Sequence, residues 1–180
     1  MNRSLQVPTL TTDRLVLTGP ARTDFRDSAA LWADPIVTRH IGGRPSTEEE
    51  VWGRLMRYVG HWAVLGFGYW IVRDKEGRFV GEVGFADWRR ELEPSFDGAP
   101  EAGWVLAPAF HGRGYATEAV RAALAWGDER FDGARTVCMI DPHNQPSIRV
   151  AEKAGYAQYA RTLYKGEPTV LFERAGSERP

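Results

Sequence analysis

The sequence has one cysteine, an almost balanced charge and no basic excess. Cys138 is the single cysteine among 180 residues, so the chain cannot form an internal disulfide. It stands in the apolar run Thr136 to Ile140, which favours a small buried side chain over a nucleophile. The 23 Lys and Arg residues balance 24 Asp and Glu residues, for a formal net charge of -1. A nucleic-acid partner, which needs a basic surface patch, is therefore not expected.

Long hydrophobic runs are also missing. No stretch approaches the roughly 20 apolar residues that a membrane-spanning helix needs. The first residues, Met1 to Pro8, lack the apolar segment of a secretory signal. We therefore expect a cytoplasmic protein with no membrane partner. The four histidines have no ligand spacing with each other or with Cys138, so we also expect no metal.

Apolar and aromatic residues are plentiful by contrast. Hydrophobic residues make up 43% of the chain and include seven Trp, six Tyr and eight Phe. That composition supports a real core and argues against disorder. Because no linker, repeat or low-complexity block interrupts the chain, we predict one domain over residues 1–180, with a core from about 11 to 174.

Hydrophobic spacing predicts strands and helices in a mixed order. A strand is followed by two helices, three strands, a helix, a strand, a helix and two strands. Ser46, with Glu49 three residues later, predicts the capping box of the second helix. The ranges in chain order are 14–18, 23–33, 46–65, 67–73, 79–86, 101–107, 113–131, 136–140, 144–154, 156–164 and 168–174. This order predicts an α/β class with a mixed, mostly antiparallel sheet flanked by helices.

A glycine-rich loop between a strand and a long helix is the strongest functional signal. It reads His111-Gly112-Arg113-Gly114-Tyr115-Ala116. Two glycines let the backbone approach a ligand, and amides at a helix start form an anion-binding nest. A Walker loop is absent. A dinucleotide fingerprint fits in part, because an acid, Asp132, follows at a suitable distance, but Thr117 replaces the third glycine.

The loop and its surroundings resemble the GNAT acetyltransferase superfamily. The resemblance rests on Trp104 to Ala119, on the later run Asn144 to Tyr156, and on the opening Thr12 to Leu17, which is similar to the ribosomal-protein N-acetyltransferase-like branch. It implies acetyl-CoA as co-substrate, held through the loop amides. The cofactor-binding residues that it implies are Val105, Leu106, His111, Gly112, Arg113, Gly114, Tyr115, Ala116, Thr117 and Asn144. His111 departs from the Gln or Arg of the family pattern.

Acetyl transfer to an amine needs a base for the amine and an acid for the departing thiolate. By the resemblance, Glu101 at the start of the strand before the loop lies near the acceptor and is the first candidate base. Glu82 in the neighbouring strand is the second. Ser147 is the candidate acid, and Tyr156 is the alternative. Each also has a structural interpretation, as a strand end, a salt bridge, a first-turn serine or a core residue.

These features together predict an N-acetyltransferase that acts on a primary amine, such as a protein N-terminus or a small-molecule amine. Two alternatives remain at this point: a dinucleotide-binding domain, and a non-catalytic acyl-CoA-binding module. Acceptor recognition is expected in residues 36–46 and 87–100. The sequence is compatible with a homodimer and does not name the acceptor.

Overall fold

The computed structural model describes residues 6–176, and within them one sheet of eight strands has the order β1-β2-β3-β4-β5-β6-β8-β7. All neighbouring strands are antiparallel except β5 and β6. The strands are β1 Leu10–Thr11, β2 Leu15–Thr18, β3 Tyr69–Asp74, β4 Phe79–Ala86, β5 Glu101–Leu106, β6 Thr136–Ile140, β7 Ala157–Tyr164 and β8 Glu167–Arg174. The helices are α1 Phe25–Ala33, α2 Pro35–Thr38, α3 Glu48–Leu65, α4 Tyr115–Arg130 and α5 Gln145–Lys153. The predicted mixed, mostly antiparallel sheet with flanking helices is confirmed.

Helices cover both faces of the sheet. On one face, the small residues Ala119 and Ala123 of α4 pack with Val83 and Phe85 of β4. A Cβ on Gly127 would lie 2.9 Å from the Phe85 ring, so the small-residue face of α4 lets helix and sheet approach closely. On the other face, α1, α2 and α3 pack around a second buried cluster that includes Val105 of β5, namely Leu31, Trp32, Val37, Val51 and Val105.

The cap of α3 differs from the sequence prediction by one residue. Thr47, not Ser46, is the N-cap; its hydroxyl accepts a hydrogen bond from the Glu50 backbone N–H, and the Glu50 carboxylate accepts one from the Thr47 N–H. Ser46 instead donates its own backbone N–H to the Trp32 carbonyl at 2.9 Å. That contact holds Ser46 in the preceding loop, so the helix begins at the next Thr-x-x-Glu pattern.

A short helix and a short strand were not predicted. α2 lies between the first two predicted helices, and it forms because Asp34 accepts a hydrogen bond from the Ile36 N–H and Pro35 occupies the first turn of α2. β1 adds a two-residue edge strand beside β2. α4 begins at Tyr115 rather than at Arg113, because Gly112 and Gly114 both have positive φ and are not helical.

Candidate active site

The sheet opens between its two parallel strands. β5 and β6 are paired in register at Glu101 and Val137, and Val137 donates to the Pro100 carbonyl at 3.1 Å. Within the described residues, the rest of β5 pairs with β4 alone. The Ala107 N–H donates to Val80, and backbone groups alternate sides along a strand, so the N–H groups of Trp104 and Leu106 point into the opening. The opening is a cleft lined with backbone donors.

The glycine-rich loop lies at the end of this cleft. Gly112 and Gly114 have φ of 70° and 80°, in the left-handed region that favours glycine. Gly114 is the N-cap of α4 and has no side chain to cap it, so the first N–H groups of the helix are available to a ligand. A Cβ on Gly112 would meet nothing within 4 Å. The loop therefore has the open, amide-rich surface that suits a phosphate or diphosphate.

Side chains within the loop support its backbone. The His111 ring donates from Nε2 to the Leu106 carbonyl at 2.8 Å, and its backbone N–H donates to Pro108 at 3.1 Å. The Arg113 side chain contacts the Ala109 carbonyl at 3.4 Å and lies 5.3 Å from the Tyr115 ring centre. His111 thus takes up the carbonyl at the end of β5 and stabilises the loop from within.

Asn144 and Ser147 border the cleft from the β6 side. They follow the end of β6 and form the first turn of α5. The Asn144 side chain accepts a hydrogen bond from the Ser147 N–H at 3.2 Å, which confirms the predicted helix cap. Ser147 is half-buried. The coenzyme contact of Asn144 and the acid role of Ser147 stay predictions.

Glu101 lies where β5 and β6 part, and it is buried. Arg90 donates two hydrogen bonds to it, Nε to Oε2 at 2.5 Å and Nη2 to Oε1 at 2.7 Å, and a third to the Tyr164 hydroxyl at 3.0 Å. Burial raises the pKa of the Glu101 carboxyl, while the Arg90 guanidinium opposes that rise. The strand end is therefore neither solvated nor free, because a cation from the loop 87–100 is bound to it.

A cavity of about 320 Å³ adjoins Glu101. Its wall is formed by the β4–β5 loop, in which we predicted acceptor recognition, and includes Trp88, Arg90 and Phe96. A second, shallow groove of about 700 Å³ lies over Phe25 and Trp52 and contains none of the predicted site residues. The smaller cavity is the one that Glu101 lines, at the point where β5 and β6 pair.

Glu82, the second candidate base, is enclosed on the face that α1 and α3 cover. Its Oε2 accepts hydrogen bonds from the Trp32 Nε1 and the Tyr58 hydroxyl, both at 2.9 Å. Burial raises the pKa of its carboxyl, and the hydrogen bonds from Trp32 and Tyr58 oppose that rise. Tyr58 stacks on Tyr69 with ring centres 4.5 Å apart. Glu82 is not among the residues that line the cavity.

A histidine and an aspartate connect the two sides of the cleft. α2 packs against β5 through Val37 and Val105. Shortly after α2, the His40 Nδ1 lies 2.7 Å from Asp141 Oδ2, at the end of β6. The other Asp141 oxygen accepts the His143 N–H at 2.8 Å. The predicted recognition segment 36–46 is therefore attached to the strand end that leads to Asn144.

Tyr156 and Cys138 both lie in the core. The Tyr156 hydroxyl is 2.9 Å from Thr136 Oγ1, and burial raises the pKa of this phenol. Burial also raises the pKa of the Cys138 thiol. Among residues 6–176, no group of three or more His, Cys, Asp or Glu side chains is arranged to hold a metal ion. In the same part of the chain, no helix has the length and apolarity needed to cross a membrane.

Three contacts were not found from the sequence: that of Arg90 with Glu101, that of His40 with Asp141, and that of Tyr69 with Gly103. The Tyr69 hydroxyl lies where a Cβ on Gly103 would be, only 1.9 Å from that position, which explains the glycine in the middle of β5. The mid-strand glycine was the one available signal for Tyr69. Arg90 and His40 each contact a residue from a distant segment of the chain. No local sequence pattern predicts such contacts.

Comparisons with known proteins agree with this geometry. The acetyltransferase (GNAT) domain model matches residues 14–157. The Bacillus subtilis protein YkkB is 33% identical over 174 residues, covering 92% of this chain and 94% of that protein. The N-acetyltransferase YnaD, also from Bacillus subtilis, is 28% identical and covers 81% of each chain.

Solved structures give the same result. A GNAT-family acetyltransferase from Bordetella pertussis superposes with a TM-score of 0.83 at 36% identity, covering 94% of this chain and all of that one. The ribosomal L7/L12 N-acetyltransferase RimL, solved with coenzyme A, shares the fold with a TM-score of 0.74 at 15% identity, over 93% of this chain and 98% of that one. The chain therefore belongs to the GNAT acetyltransferase family, and it is an acetyl-CoA-dependent acyltransferase.

Proposed function

We propose that the chain transfers the acetyl group of acetyl-CoA to a primary amine, such as a protein N-terminus or a small-molecule amine. One observation carries the proposal: the buried carboxylate of Glu101 lies where β5 and β6 part and also lines the cavity beside the cleft. A carboxylate at that junction is suited to take a proton from an ammonium group.

The residues of the cleft fit the donor. The open amides of residues 112–116 suit its diphosphate, and the N–H groups of Trp104 and Leu106 suit the amide groups of its arm. Asn144, after the end of β6, also belongs to the predicted donor set. Val105 belongs to that set as well, but its side chain packs in the buried cluster beneath α1 and α2. Bound acetyl-CoA supplies the activated acetyl group, and the chain supplies orientation and proton transfer.

Proton transfer falls to two groups in this proposal. Each Glu101 oxygen accepts one bond from Arg90 and keeps a second lone pair, with which it takes a proton from the amine. Ser147 Oγ, on the other side of the cleft, returns a proton to the thiolate. Glu82 and Tyr156 are the second candidates for these roles, and the partners that enclose them argue for the first pair.

A screen of acceptors tests the amine class. Thiol release from acetyl-CoA is measured with primary amines, including peptides with free N-termini, polyamines and aminoglycosides, and with alcohols of matched carbon skeleton. We expect release above the rate in buffer with primary amines only, together with an amide product by mass spectrometry. Release with the alcohols and with none of the amines would overturn the proposed acceptor class.

A further inference from the structure

The turn between β1 and β2 contacts the start of α4 through side-chain hydrogen bonds. Glu118, in the first turn of that helix, accepts a hydrogen bond from Thr12 Oγ1 at 2.6 Å. The same carboxylate accepts the Arg14 backbone N–H at 3.0 Å and the Arg14 Nε at 2.6 Å. Burial alone would raise the pKa of Glu118, but these bonds lower it, so the carboxylate stays charged. Side chains more than 100 positions apart thus meet at the glycine-rich loop.

The Arg14 side chain also contacts the loop itself. Its Nη1 donates to the Arg113 carbonyl at 3.0 Å. Its guanidinium lies 4.2 Å from the centre of the Tyr115 ring. Its Nη2 is 3.4 Å from the position that a Cβ on Gly114 would take. One side chain therefore bonds to the Arg113 carbonyl, packs on the Tyr115 ring and lies beside Gly114 between them.

Two physical effects follow from this contact. Gly112 and Gly114 lose much conformational freedom when the loop is ordered, so a side chain that orders it in advance lowers the cost of ligand binding. Glu118 would otherwise present a negative charge at the helix end where an anion binds. The Arg14 guanidinium, 2.6 Å from Glu118 Oε2, neutralises that charge.

We propose that Thr12, Arg14 and Glu118 form a clamp that holds the loop 112–115 in the shape that binds the diphosphate of acetyl-CoA, with Arg14 as a positioning residue. The inference rests on the proposed function, since it concerns the donor of that reaction. It gives a role to the opening Thr12 to Leu17, which the sequence singled out and the reaction itself does not use.

Binding of two acetyl donors, one with the diphosphate and one without it, distinguishes a role in diphosphate binding from a general effect on stability. Dissociation constants are measured for acetyl-CoA by calorimetry, and for S-acetylpantetheine, which lacks the diphosphate, by ligand-observed NMR. For Arg14→Gln we expect binding of acetyl-CoA to weaken about tenfold. Binding of S-acetylpantetheine should change by less than about twofold, because it does not reach the loop. Arg14→Lys, which keeps the charge without the planar fork, should recover part of the loss.

Controls keep the result interpretable. Arg121→Gln alters the same helix, but its side chain contacts the Lys153 carbonyl away from the loop, so both dissociation constants should match the wild type. Thr12→Val removes one contact of the clamp and serves if Arg14→Gln does not fold. Equal weakening for both donors, or no weakening for either, would overturn the clamp. Wild-type protein that does not bind acetyl-CoA would instead overturn the proposed function on which the clamp rests.

Discussion

At the scale of single residues, Glu101, the proposed base, is a buried carboxylate held by a cation, Arg90. An unpaired carboxylate with 6% exposure would cost several kcal/mol of desolvation. The two Arg90 bonds offset that cost, and burial still raises the pKa of the acid above its usual value. A carboxylate with a raised pKa is a stronger base, closer to the amine that it must deprotonate. The counter-ion comes from the loop 87–100, so the loop that borders the proposed acceptor cavity also affects the pKa of the proposed base.

Ser147 offers a residue-scale test of the acid. If its hydroxyl protonates the thiolate, Ser147→Ala should lower kcat by about 10²-fold or more while the acetyl-CoA dissociation constant stays nearly constant. Ser147→Thr keeps the hydroxyl and should recover much of the rate. Steady-state kinetics and calorimetry are the measurements. An unchanged kcat in Ser147→Ala would remove the acid role and make Tyr156 the next residue to test.

At the scale of elements, the start of α4 depends on a conformation that only glycine adopts readily. Gly114 has a φ of 80° and its N–H belongs to the predicted phosphate nest. Gly114→Asp should strain the loop and place a carboxylate against the diphosphate. We expect the rise in unfolding temperature that acetyl-CoA gives the wild type to be lost.

A matched control exists for this loop. Gly166 has a φ of 86°, a Cβ there would meet nothing within 4 Å, and it lies in the turn between β7 and β8. Gly166→Asp carries the same backbone strain and the same new charge, so it should keep the acetyl-CoA shift. If Gly114→Asp also kept the full shift in a differential scanning fluorimetry titration, the loop would not be the diphosphate site.

The cap of α3 gives a second prediction at this scale. Thr47→Ala removes the side chain that accepts the Glu50 N–H, and it should cost about 1 kcal/mol of unfolding free energy in urea titrations. Ser46→Ala should change stability much less, because the contact of Ser46 with Trp32 uses its backbone. A larger loss of unfolding free energy in Ser46→Ala than in Thr47→Ala would place the cap at Ser46.

The caps and short elements also show what the sequence could and could not predict. The run Ser46-Thr47-Glu48-Glu49-Glu50 contains two overlapping capping boxes, and the choice between them depends on a long-range bond from Ser46 to α1. Long strands and helices were predicted because their periodicity is local. β1 and α2 were not predicted, because a strand of two residues and a helix of four are too short to show a periodic hydrophobic pattern.

The same division applies to the site. The glycine-rich loop is formed by residues that are neighbours in the sequence, and so is the cap at Asn144. Residue spacing and a family resemblance were therefore sufficient to predict both. The partners of Glu101 and Glu82 come from other elements: Arg90 from a loop, Trp32 from α1 and Tyr58 from α3. Sequence therefore identified the two carboxylates without the surroundings that distinguish them.

At the scale of the whole molecule, the sheet has two halves that meet at Glu101. One half comprises β1 to β5, and the other comprises β6, β8 and β7. The parallel pair at Glu101 and Val137 joins them, and beyond it the cleft opens toward the glycine-rich loop. The cavity of the β4–β5 loop lies at the same residue. The proposed donor cleft and the proposed acceptor cavity thus converge on one carboxylate.

The pH dependence of Glu101→Gln tests that convergence most directly. Glu101 acts as a base only when ionised, so the wild-type rate should fall as pH drops through its raised pKa. Glutamine cannot take a proton, so the variant depends on amine that is already neutral. That fraction rises with pH toward the amine pKa of about 8 for an α-amine or about 10.4 for a lysine. Below the Glu101 pKa both rates fall with pH, so the ratio of wild-type to variant kcat/KM should be largest and level there, and it should shrink as pH rises above that pKa.

Two variants measured alongside make the profile decisive. Glu91→Gln, on the exposed part of the same loop, should reproduce the wild-type profile. Glu82→Gln should keep its shape as well, because Glu82 is enclosed by Trp32 and Tyr58. The account predicts a ratio for Glu101→Gln that is level below the Glu101 pKa and declines from that pKa toward alkaline pH. A ratio that is the same at every pH, or a declining ratio in Glu82→Gln instead, would contradict it.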